Sequence, residues 1–202
     1  MAKMNKNSET TRKVGRPRSS AAREAVLDAA YRIVMSEGVG RLTIERVASE
    51  TGVGKPTIYR TWANAHELAM AAFMAQPEEE FETPKGSVKR RLKAHLGSVI
   101  ARFSTPRGRQ ITLTMASAEQ ESELAKAFRN QIILKSRETG RLLLEQAMAA
   151  DLLRRNFDVE TALDMLYGPL FFRLLAGHQP INAALADSMI ETLFEGIGVA
   201  SE

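Results

Sequence analysis

Apolar residues recur at helical spacing along most of this chain, and beyond residue 74 no segment shows the two-residue alternation of a strand. Val26, Ala29, Ala30, Ile33 and Val34 predict a first helix that starts at Ser19 or Ser20 and is closed by Gly38. Ile44, Val47 and Ala48 fall at i, i+3 and i+4, so a second, short helix buries one face, with Thr43 placed to cap its free N–H groups. The pattern breaks at Thr51-Gly52-Val53-Gly54, where Gly52 can take the positive φ that ends a helix. Pro56 suits the first turn of a third helix, where its missing N–H costs nothing. Ile58 and Trp62 form the buried edge of that helix and leave Lys55, Pro56, Thr57, Tyr59, Arg60 and Thr61 on its other faces. Two short helices meeting at a glycine turn, the second one basic, have the layout of a helix-turn-helix that reads DNA.

Past an acidic linker from Pro77 to Pro84, helices are expected at about 85–103, 107–119, 121–152, 158–176 and 181–197. The last two are unusually apolar. Leu163, Leu166, Leu170 and Leu174 recur every three or four residues, and Ile181, Leu185, Met189, Leu193 and Ile197 every four. Such a stripe serves either the core of the chain's own bundle or a partner subunit. Between Tyr167 and Leu175 apolar residues cover nearly the whole circumference, more than one core face can bury, which favours a second copy. The expected dimer contacts are Leu163, Leu166, Leu170, Leu174, Met189 and Leu193, with Pro169 kinking its helix. The fold class is therefore all-α. The expected organisation is a basic arm over 1–18, a three-helix DNA-binding domain over 19–74, and a larger helical bundle over 75–202 for ligand binding and dimerisation.

Charge sharpens the division. Residues 1–62 carry 12 Lys+Arg against 6 Asp+Glu, net +6, whereas residues 63–202 carry 16 against 18, net −2. A basic N-terminal third suits phosphate. The first 18 residues contain Lys3, Lys6, Arg12, Lys13, Arg16 and Arg18 and few large apolar side chains, so they read as a disordered arm. Gly15-Arg16-Pro17-Arg18 resembles an AT-hook core that enters the minor groove, and a solvated tail adding only non-specific attraction fits equally well. The chain has no Cys, which removes disulfides and thiol chemistry, and no apolar run of the ~20 residues that span a bilayer. A cytoplasmic protein without membrane contact or cofactor is the expectation. Catalysis is not expected: His66, His95 and His178 lie far apart, and Gly54-Lys55 is followed by Pro56 where a phosphate-binding loop needs Ser or Thr.

The N-terminal segment resembles the DNA-binding region of the TetR family of transcriptional regulators. The resemblance runs from Arg41-Leu42-Thr43 through Ala48 and Thr51-Gly52-Val53 to Lys55-Pro56-Thr57-Ile58-Tyr59-Arg60, Trp62 and Glu67-Leu68, covering about residues 20–74. It implies that Thr43 touches the DNA backbone and that Lys55, Pro56, Thr57 and Tyr59 lie in the major groove. Arg16, Arg18, Arg46, Arg60 and Thr61 complete the expected DNA-binding set. One position departs from the family pattern: Ala65-His66 stands where a Lys usually precedes the Glu-Leu pair, which puts one phosphate contact in doubt. Leu163 to Ile181 likewise resembles the regulatory domain of one subgroup, in which the last two helices pair with their symmetry mates. The implied function is a homodimeric repressor released from a pseudo-palindromic double-stranded operator by a small-molecule effector, the alternative being a nucleoid-type architectural binder. Phe103, Met115, Phe128, Met148, Tyr167 and Phe171 are candidate effector contacts, though plain core packing would also place them inside.

Overall fold

The structure, a computed structural model, describes residues 18–77, 84–119 and 121–197, with side chains given from residue 20. Arg16 and the acidic linker's centre lie outside the described residues, as does the side chain of Arg18. Among the described residues all regular elements are helical: α1 (Arg18–Glu37), a 3-10 turn (Val39–Arg41), α2 (Ile44–Thr51), α3 (Lys55–Tyr59), α4 (Ala65–Met74), α5 (Val88–Phe103), α6 (Pro106–Ala116), α7 (Glu123–Arg129), a π segment (Asn130–Leu134), α8 (Lys135–Ala149), α9 (Val159–Ala176) and α10 (Ala183–Ile197). None is long and apolar enough to cross a membrane.

Local chemistry sets the ends of these helices. Thr43 accepts from the N–H of Arg46 at 3.1 Å, and Gly52 ends α2 at φ 70°, a backbone state that disfavours a Cβ. Asn64 accepts from the N–H of Glu67, whose carboxylate accepts from the N–H of Ala63, so the two side chains cap α4 reciprocally. Ser87, Thr105, Ser122 and Asp158 cap α5, α6, α7 and α9 in the same way.

α1 packs across α2 and α4, burying Val26, Ala29, Ala30, Ile33 and Val34 against Leu68 and Phe73. α4 also lies on α6 and α7, where Phe73 meets Phe128 with ring centroids 6.4 Å apart, so one apolar core is continuous through the chain. α6 touches α1, α4 and the 3-10 turn on one side and α5 and α9 on the other. Gly108 makes this possible, since a Cβ there would stand 2.4 Å from the Cα of Phe103.

The helix expected over 121–152 runs without a break from Glu123 to Ala149 and carries a π segment at Asn130–Leu134, whose widened turns re-aim the side chains that follow. One expectation for the second half needs correction. Leu163, Leu166, Leu170, Leu174 and Leu193, expected at a subunit interface, are buried within the chain itself, Leu163 and Leu170 completely and Leu174 and Leu193 with 7% and 6% of their surface exposed; Met189 is half-buried against the same core. The outward face of α9 is formed instead by Met165 and Phe172, each 63% exposed, with Leu175 at 54%.

Candidate nucleic-acid interface

α3 is only five residues long, and its orientation is fixed by two side chains. Ile58 is buried against α1 and α2, and Trp62, one turn on, is buried beneath the guanidinium of Arg23, 5.7 Å from its ring. Fixing those two turns Lys55, Pro56, Thr57, Tyr59, Arg60 and Thr61 outward, all of them exposed. Tyr59 is 48% exposed although it is large and aromatic. An exposed aromatic beside hydroxyls and cations, on a helix held rigidly by its neighbours, can contact base edges, a thymine methyl or phosphate.

The cations of this region differ in availability. Lys55 meets Glu45 at 3.4 Å, with both groups about half exposed, a surface pair that a phosphate can readily replace. Glu45 sits below the usual carboxylate range through a backbone N–H hydrogen bond and then the Lys55 pair. Arg46 is engaged differently from the expectation. Its guanidinium binds Glu37 through two nitrogens and Glu50 through the third, at 2.7 Å for Nη1 and 3.2 Å for Nε. Arg32 also reaches Glu50, at 3.3 Å. This network joins the end of α1 to α2, raises Arg46 further above its ordinary value and lowers Glu37 below its own, in both cases chiefly by the shared hydrogen bonds. Arg46 thus bridges the end of α1 and α2 at the surface. Thr43 is exposed at the N-terminus of α2, and His66 is exposed in the first turn of α4.

The expected effector contacts divide. Phe103, Tyr167 and Phe171 line a cavity of about 360 Å³ between α5, the π segment, α8 and α9, together with Val99, Ile133, Leu134, Ser136, Arg137, Asp164 and Gly168. Phe103 and Phe171 pack edge to face, 5.1 Å between centroids. Phe128 is fully buried against Phe73, and Met115 and Met148 are half-buried against the core; none of these three lines the cavity. At one wall His95 Nε2 lies 2.9 Å from both the Ser136 carbonyl and the Tyr167 hydroxyl, and that hydroxyl donates to the same carbonyl at 2.9 Å. Burial lowers His95 and raises Tyr167 from their ordinary values, so both are neutral near pH 7. At the rim, Arg137 joins α8 to α9 through Asp164 at 2.7 Å and Glu160 at 2.8 Å.

Sequence reasoning missed Ile133, Leu134, Arg137 and Asp164. The π segment that turns the first two toward the cavity left no Gly or Pro signal, and the charged pair spans a separation that periodicity does not encode.

Comparison with known proteins agrees with this geometry. Residues 26–72 match the model of bacterial regulatory proteins of the tetR family, and residues 83–193 match a tetracyclin repressor-like C-terminal domain. The chain is 30% identical over 191 residues to an uncharacterized HTH-type transcriptional regulator of Bacillus subtilis, YdeS, covering 94% of this chain and 96% of that protein. A further HTH-type regulator, Mb1581 of Mycobacterium bovis, is 23% identical over 86% of this chain and 88% of its own length. Among solved structures, the TetR family transcription regulator SCO0332 superposes with a TM-score of 0.59 at 29% identity, covering 87% of this chain and 98% of that one.

Proposed function

The chain belongs to the TetR family of DNA-binding transcriptional regulators, and from that premise we propose that it is a homodimeric repressor released from its operator by a small molecule. The observation that carries the DNA-reading part is the outward presentation of Lys55, Thr57, Tyr59 and Arg60 by α3 and the turn that ends it, a segment locked into the core by Ile58 and by Trp62 just beyond the helix. Two such helices, one per protomer, would enter successive major grooves ~34–36 Å apart on a pseudo-palindromic site. The outward face of α9, with Met165, Phe172 and Leu175, is the contact proposed for the twofold axis, in place of the leucines now accounted for by the core.

The cavity between α5, α8 and α9 supports the effector part. α6 lies between that bundle and the DNA-reading helices, and the side chain of Gln110 accepts from the N–H of Val39 at 3.0 Å, so a shift of α5 or α9 on ligand entry has a direct route to α1 and the turn before α2.

Selection of bound sequences from a random DNA pool, followed by mobility-shift titration at several salt concentrations, tests the reading. An inverted repeat bound ~10³–10⁷-fold more tightly than random DNA at physiological salt is the expected result. Recovery of no repeat, with binding that falls steeply with salt on every sequence, would identify an architectural binder instead.

A further inference from the structure

The cavity of about 360 Å³ carries information about its occupant, on the premise that it is the effector site proposed above. Most of its wall is apolar: Val99, Phe103, Ile133, Leu134 and Phe171 contribute hydrocarbon or ring surface, and Gly168 contributes backbone. The polar atoms at the inner wall are already committed to one another. The Ser136 carbonyl accepts from Tyr167, and His95 Nε2 stands within hydrogen-bond distance of both. A ligand group that needed hydrogen bonds at this depth would have to break that set, at the cost of unpaired buried partners. The inner part of the ligand is therefore apolar.

The rim is different, because one of its polar contacts is exchangeable. The Arg137 side chain is 18% exposed and lines the cavity, while Asp164, its partner at 2.7 Å, is 75% exposed. Release of Asp164 returns a carboxylate to water it already largely occupies, and exposed ion pairs of this kind hold little free energy. Glu160, the second partner of Arg137, is also bound by Arg141, so it keeps a cation if Arg137 turns toward the cavity. The guanidinium itself is the least exposed member of the set and carries a planar fork of donors matched to a carboxylate. A cationic ligand would find Asp164 at the same mouth but also the charge of Arg137 beside it, so the ammonium compounds below decide between the two.

We propose that the cavity binds an apolar carboxylate, its hydrocarbon or aromatic body among Phe103, Ile133, Leu134 and Phe171 and its head group on Arg137 in place of Asp164.

Calorimetry on the full chain without DNA tests this with two matched series: 2-naphthoate, 2-naphthamide and protonated 2-naphthylmethylamine, and decanoate, decanamide and decylammonium. In at least one series the carboxylate should bind about tenfold more tightly than its amide, the gain of one charge-assisted contact. Arg137→Gln should abolish that preference and leave amide affinity in place, and Arg137→Lys, which retains the charge but not the fork, should restore part of it. Asp164→Asn removes the competing carboxylate and should raise carboxylate affinity about two- to fivefold. Tightest binding by either ammonium, equal binding of all three members, or no binding by either series at millimolar concentration would each overturn the proposal. Mobility shifts with the same compounds separate it from the functional reading. A carboxylate that binds through Arg137 and leaves the operator complex intact would defeat effector release while this site stands. Operator release only by compounds indifferent to Arg137 would do the reverse.

Discussion

The amide oxygen of Gln110 accepts a hydrogen bond from the backbone N–H of Val39 at 3.0 Å, joining the middle of α6 to the 3-10 turn that precedes α2. Gly38 is required by its φ of 92° and not by space, since a Cβ there would stand in ordinary contact, 3.7 Å from the Gln110 amide. The bond is half-buried and joins residues 71 apart in sequence, so it forms only when the two ends of the molecule are docked. Gln110→Ala should lower stability by ~1 kcal/mol, the worth of one such bond plus an orphaned donor. It should also accelerate amide exchange at Val39. A variant in which Val39 exchanges at the wild-type rate would show that the bond does not hold the junction.

Tyr59 and Trp62 lie on the same short segment and should respond to truncation in opposite ways. Tyr59→Ala removes an exposed side chain and should leave melting unchanged while weakening operator binding by ~1–3 kcal/mol, the value of one good base-reading contact. Trp62→Ala empties a buried site and should destabilise by ~3–5 kcal/mol. Quantitative mobility shifts and thermal melts on both variants check the assignment; unchanged operator affinity in a folded Tyr59→Ala protein contradicts it.

These contrasts also explain what the sequence made legible. The helix-turn-helix was readable because its determinants are local: the Thr43 cap, the positive φ of Gly52, Pro56 at a helix start, and the four-residue spacing of Ile58 and Trp62. The cavity was half readable. Phe103, Tyr167 and Phe171 could be picked as aromatic positions on apolar helices, but Phe128 has the same local signature and ends in the core, because the position of α4 decides which of them finds a neighbour. The leucine stripe of α9 was misread for a related reason. Periodicity marks a face that must be buried and cannot say whether the burying surface belongs to the same chain. The ion pairs of Arg46 were not legible, because Glu37 lies nine residues earlier on a different helix.

Gly140 on α8 faces Tyr167 and Leu163 of α9. A Cβ there would stand 2.4 Å from the Tyr167 hydroxyl and 3.2 Å from Leu163 Cδ2. Gly140→Ala should therefore destabilise by ~1–3 kcal/mol through overpacking, although alanine is the better helix former. Tyr167→Phe in the same chain removes the oxygen that clashes and should recover part of the loss. Denaturant titration of the two single variants and the double measures this coupling, and strict additivity would show that the clash is relieved elsewhere.

His95 gives the fold a pH dependence with a defined sign. Burial lowers its folded-state value below the ordinary 6.5, reinforced by the positive charge of Arg102 and opposed by its hydrogen bond to the Ser136 carbonyl, while the neutral Tyr167 hydroxyl faces it from α9. The unfolded chain then binds a proton at a pH where the folded one does not, so stability is full above pH 6.5 and falls as pH drops toward the folded value. Glu37 is also depressed, but from 4.5, so its loss belongs to a more acidic window. Melting temperature should decline between pH 7.5 and 5.5 in the wild type, and the decline should shrink in His95→Gln. Equal slopes in the two proteins would place the titration elsewhere.

The proposed twofold contact makes the most discriminating demand on the structure, because two residues of α9 only two positions apart should behave differently. Phe172 points away from the core with 63% of its surface exposed, its ring 4.9 Å from that of His178, whereas Leu170 is completely buried. A glutamate at 172 costs the protomer little, but in a symmetric dimer it meets its own copy across the axis, and two like charges in a desolvated contact are strongly unfavourable. Phe172→Glu should therefore give folded monomers, with helical content and melting close to wild-type monomer values, and operator binding should collapse because each monomer holds one half-site. Leu170→Glu places the charge in the protomer's own core and should unfold it before any question of assembly arises. Sedimentation equilibrium at micromolar concentration, with circular dichroism on the same samples, separates the two. A folded Phe172→Glu protein that sediments as a dimer moves the contact off this face of α9, and a folded Leu170→Glu monomer would restore the buried leucines to the interface.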